Sequence, residues 1–119
     1  MPKKKNYPRE FHLEFGEISD RLSKSMQTIV PDDWEKSTII VREADPWSDD
    51  LVELDTPLHN PDTDEFLGNL PDEMVAAIEE LYLLFFPYQR PWETCVISLN
   101  RGPSGKRQIR TQFLYAEKA

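Results

Sequence analysis

The sequence holds one cysteine, Cys95, and two histidines, His12 and His59. A lone thiol excludes an intramolecular disulfide, and one Cys with two His is too small a ligand set for a conventional zinc site. Glycine is scarce, at four residues. The one stretch with two close glycines, Arg101-Gly102-Pro103-Ser104-Gly105-Lys106, has neither the spacing nor the following helix of a phosphate-binding loop. No serine sits in a G-x-S-x-G context. Long apolar runs are missing too: the longest, Leu81 to Phe86, is far too short to cross a bilayer. The basic start Met1 to Asn6 has no apolar stretch behind it, so no signal peptide is expected and the chain reads as soluble and cytoplasmic. Together these absences predict a protein with no catalytic residues, no cofactor and no resident metal.

Positive charge is missing from the middle of the chain. Between Asp32 and Glu80 there are 16 acidic residues against two basic ones, Lys36 and Arg42, whereas both ends are mildly basic and the whole carries a net charge of −8. Such a chain repels phosphate backbones and anionic lipid, so nucleic-acid and membrane partners are not expected. It suits a basic protein partner. The acids fall mostly in a Pro- and Asp-rich segment with Trp34, Trp47 and Phe66 interleaved. Aromatics supply contact area that loses its water on binding, and charges steer encounter. His59 lies among Asp55, Asp62 and Asp64, but these are ordinary loop residues and their spacing does not match a calcium-binding EF-hand loop. Cys95 lies in an apolar run and reads as a buried structural thiol.

One domain of α+β class is expected over residues 1–119, with a flexible basic tail over 1–9. Phe11, Phe15, Ile18, Leu22, Met26 and Ile29 recur at steps of three and four, one face of a helix ended by Pro31-Asp32-Asp33. Lys36 to Arg42 is β-branched and reads as a strand, Leu51 to Asp55 as a short second strand, and Thr56 to Asn69 as a long acidic loop. A second helix should open with Pro71 at its first position, bury Val75, Ile78, Tyr82 and Phe85, and run until Pro87 stops it. Two more strands, from Thr94 to Leu99 and from Arg107 to Tyr115, should form a hairpin through Gly102-Pro103-Ser104-Gly105. The order α-β-β-α-β-β implies an antiparallel sheet of about four strands with both helices on one face.

Val30-Pro31-Asp32-Asp33-Trp34-Glu35-Lys36 follows the first helix, and Pro91-Trp92-Glu93-Thr94 opens a hairpin that contains Gly105-Lys106 and ends in Phe113-Leu114-Tyr115. In this ordered set the chain resembles the YezG-like immunity proteins of bacterial polymorphic toxin systems, the contact-dependent inhibition type among them. The likeness spans roughly residues 11–117. The second strand, Leu51 to Asp55, is less aromatic than that family's, and the loop after it is longer and more acidic. The resemblance implies a protein without catalytic residues that neutralises a cognate toxin, often a nuclease, by tight binding; Trp34 and Trp92 fall on its recurring positions and are expected to pack in the core. Nuclease grooves are basic because they hold phosphates. The segment from Asp45 to Glu65 is therefore expected to dock there, with Asp45, Asp49, Asp50, Glu53, Asp55, Asp62, Asp64 and Glu65 supplying charge and Trp47 and Phe66 as anchors. The competing expectation is an acidic adaptor or regulator of a host enzyme, unconnected to any toxin.

Overall fold

The 3.6-residue stripe predicted near the N-terminus forms helix α1 (Arg9–Ile29), which buries Phe11, Ile18, Leu22 and Met26. The computed structural model describes residues 7–88 and 92–115. Of the tail expected over 1–9, residues 1–6 lie outside the described residues. Tyr7 does not behave as tail: it stacks on Phe11 with ring centroids 4.1 Å apart, and α1 begins at Arg9. The last turn of α1 contains no basic residue, yet its carbonyls are met by a cation from far along the chain. Arg107 donates through Nη2 to Gln27 O at 3.2 Å and through Nη1 to Val30 O and Pro31 O at 3.2 and 3.0 Å. A guanidinium here pairs carbonyls that the helix leaves open and opposes the negative end of its dipole.

Strands β1 (Lys36–Glu43), β2 (Val52–His59), β3 (Thr94–Arg101) and β4 (Arg107–Leu114), with helix α2 (Asp72–Leu83) between β2 and β3, complete the predicted order. The sheet runs β2-β1-β3-β4 with every neighbouring pair antiparallel. Alternation decides its two faces. Ile39 and Val41 of β1 and Cys95, Ile97 and Leu99 of β3 are buried with the helices, while Ile40, Val96 and Ser98 stay half-buried on the other side. Trp34 and Trp92 are core residues as expected; Trp92 packs edge-on to Tyr82 at 5.1 Å and beside Phe113 at 6.3 Å. The β3–β4 turn is closed by Gly102 and Lys106, and Gly105 holds a φ of 84°, a conformation glycine adopts without strain.

Three expectations change. Strand β2 continues through Pro57 to His59, into the stretch predicted as loop. The register shifts between Thr38 and Ile40, so that Pro57 and Leu58 stand opposite the single residue Ile39. Proline is tolerated at such a bulge on an edge strand because no ladder bond is lost there. Helix α2 starts one residue later than predicted, with Pro71 as its N-cap, and ends at Leu83. Turns then carry Leu84 and Phe85 into the core before Pro87 is reached. Val75 is 39% exposed rather than buried, because α2 turns Met74, Ala77, Ile78, Leu81 and Tyr82 inward and leaves Val75 at the rim of that stripe.

Candidate functional site

The acidic residues follow from the position of β2 at one edge of the sheet. The β1–β2 connection carries Asp45, Trp47, Asp49 and Asp50, all exposed. Its turn is held by Ser48 N–H on Asp45 O at 2.9 Å and Asp50 N–H on Ser48 Oγ at 3.0 Å, which leaves the carboxylates directed at solvent. Trp47 is 93% exposed. At the far end of β2 a second tight loop carries Asp62, Asp64, Glu65 and Phe66. Buried Asn60 organises it, with Oδ1 accepting from Asp62 N–H at 2.9 Å and its carbonyl from Asp64 N–H at 2.8 Å. Asp64 sits at φ 63°, a left-handed conformation that Asp tolerates better than most residues. Phe66 is 63% exposed and lies against the His59 ring at 5.9 Å.

The ten predicted contact residues thus share one edge of the molecule but do not form a single patch. With its two register shifts β2 runs opposite Thr38 to Glu43 of β1, a span of about 17 Å, so the Trp47 loop and the Phe66 loop mark its two ends. Glu53 and Asp55 lie between them on the open sheet face, where Arg42 reaches both: Nη2 is 2.5 Å from Glu53 Oε1 and Nε 4.0 Å from Asp55 Oδ1. One cation of the chain's own thus faces two of the eight predicted acids. Among the described residues no ion pair reaches the acids of the two loops.

Arg101, Arg107 and Arg110 sit toward the opposite side. Strand β4 at the other edge carries Arg107 and Arg110, preceded by Lys106. Arg101 and Arg107 take up Glu35 and Asp32 there, at 3.3 and 3.8 Å. Sheet order therefore separates the signs of charge: acidic at the β2 edge, basic at the β4 edge.

Histidine and cysteine chemistry is not assembled. His59 belongs to β2, not to the acidic loop, and its Nδ1 lies 2.9 Å from Pro57 O. Among the described residues no three His, Cys, Asp or Glu converge as metal ligands. Burial pushes the Cys95 thiol up to about 12, so it stays protonated and unreactive at neutral pH. No helix among the described residues is long and apolar enough to cross a membrane.

Sequence reasoning missed a groove on the helix side of this same edge. Val52 and Leu54 of β2 face Leu70, Val75 and Ile78 across a concavity of about 510 Å³. The one available signal was the alternation of Val52 and Leu54 in the stretch read as a short second strand. No known protein family matches the chain, and no curated protein is similar to it.

Proposed function

We propose that this chain is an immunity-type inhibitor, a protein that binds and neutralises a basic partner, a cognate toxin domain of nuclease class, without performing chemistry itself. The reading is carried by one observation: among the described residues no ion pair reaches the carboxylates of the Asp45–Asp50 and Asp62–Glu65 loops at the two ends of an edge strand, while Arg101, Arg107 and Arg110 lie across the sheet. A nuclease must present positive charge to its substrate. Two acidic loops at the ends of a strand that spans about 17 Å can straddle such a groove and exclude nucleic acid from it. The ordered segments around Trp34 and Trp92, which resemble YezG-like immunity proteins, support the same reading, as does the α+β order of elements. Such an inhibitor acts in the cytoplasm of the cell that makes the toxin.

The test uses the toxin domain encoded beside this chain, inactivated at its own catalytic residues. Replacing Asp45, Asp49, Asp50 and Asp62 by Lys leaves the fold intact, because none makes a side-chain ion pair within the described residues and none holds a left-handed backbone. Close charge pairs at interfaces couple by about 1.5–7 kcal/mol each, so the fourfold reversal should weaken the complex by several orders of magnitude. It should also abolish rescue of growth on co-expression. Unchanged affinity with an unchanged melting curve would remove the proposal.

A further inference from the structure

The backbone of β2 offers more than charge. Glu43 N–H donates to Glu93 O at 2.8 Å, so Glu43 faces β3 and its neighbour Arg42 faces β2, in register with Glu53. Ala44 N–H reaches Leu51 O at 3.1 Å in the same ladder. Alternation then turns the N–H and C=O of Val52 and Leu54 away from the sheet. Farther along this edge the chain covers itself: Leu67 N–H donates to Leu58 O and Asn60 N–H to Glu65 O, both at 2.9 Å. Among the described residues nothing covers the edge at Val52 and Leu54. A second register shift, which leaves Asp55 without a partner between the Ile40–Thr56 and Val41–Leu54 pairs, ends the regular stretch after Leu54.

The side chains of the same two residues point to the helix side, into the concavity of about 510 Å³ against α2. Leu54 is 48% exposed there and Val75 39%. An unpaired strand edge beside an apolar groove is the arrangement that accepts an added strand, the main chain giving affinity and alternate side chains giving selectivity. Charge identifies the occupant. Asp72 and the Arg42-paired Glu53 are the charged residues that border the groove, and no Lys or Arg lines it. A second copy pairing through this edge would set these acids against their own kind, so self-association is disfavoured.

We infer that an extended segment of the partner, alternating apolar and basic residues, adds as a fifth strand along the Val52–Leu54 edge of β2 and places its apolar side chains between Leu54 and Val75. This rests on the inhibitor reading and specifies how the basic partner is held: by main-chain pairing in the middle of the edge, with an acidic loop on either side.

The experiment is amide exchange on the full chain, with and without the inactivated toxin domain, together with two variants. Leu54→Pro removes an outward N–H and no ladder bond, a change edge strands tolerate. Val75→Glu places a carboxylate in the groove from an exposed helix position. In the complex the Val52 and Leu54 amides should slow by about a hundredfold or more, as ladder amides do. Both variants should keep the native melting curve and weaken binding by roughly tenfold or more. A complex in which these amides exchange as in the free chain, or in which both variants bind like the parent, overturns the added strand and leaves the acidic-surface reading standing. Absence of any complex, or one indifferent to the reversal of Asp45, Asp49, Asp50 and Asp62, removes that reading and the added strand with it. Protection of Val52 and Leu54 in the free chain that grows with concentration identifies a second copy as the occupant and also overturns the inference.

Discussion

Arg107 shows how much a single side chain can hold. Its side chain is 6% exposed, and its guanidinium spans three carbonyls at the end of α1 while facing Asp32. Replacing it by Ala takes the donor from Gln27 O and Val30 O, leaves Pro31 O with the Trp34 N–H alone, and removes the cation from the helix end. The expected loss is about 2–3 kcal/mol, read as a lower denaturant midpoint at an unchanged slope. Arg107→Lys should recover only part of it, since an ammonium on a flexible stem cannot reproduce the planar fork. Cys95 makes the opposite point. It is fully buried, with its thiol raised by burial alone, and contributes volume to the core, not reactivity.

Between elements, α1 and α2 are joined at the surface by Arg21 and Glu80, a two-pronged pair at 2.7 and 2.8 Å. The hydrogen bond from Arg21 holds the Glu80 carboxyl below its ordinary value of 4.5, with burial working weakly against it. A carboxylate depressed in the folded state contributes stability above its unfolded value and loses it as pH falls through the folded one. Glu80→Gln should therefore melt below the parent at neutral pH, and the gap between their melting temperatures should close as the pH is taken below 4.5. This pairing was not legible in the sequence, because residues 59 positions apart carry no local signal. Helix α1 was legible, since its apolar spacing is local and uninterrupted. The length of β2 was hidden by Pro57, which reads as a breaker until the bulge opposite Ile39 is known. Val75 was misplaced because the apolar stripe of α2 is wider than the face the sheet covers. The acidic loops could be read as charge, but their separation depends on the length of β2. The pairing of Glu53 and Asp55 with Arg42 depends on strand register, and the groove depends on β2 lying at an edge. Those are properties of topology.

At the scale of the molecule, antiparallel order places an acidic strand and a basic strand at opposite edges of one sheet, so the chain carries a dipole in the plane of its strands. That field should orient a positively charged partner before contact. The association rate should fall steeply between low and physiological salt while the dissociation rate changes little, as stopped-flow mixing would measure. The three tryptophans are divided in the same uneven way: Trp34 and Trp92 are sealed in the core, and Trp47 stands in water at the acidic end. An unlabelled chain thus carries its own optical reporter. Acrylamide should quench one indole of the three in the free protein and spare it once a partner covers the β1–β2 loop. Trp47→Phe should silence the signal and leave the melting curve where it was.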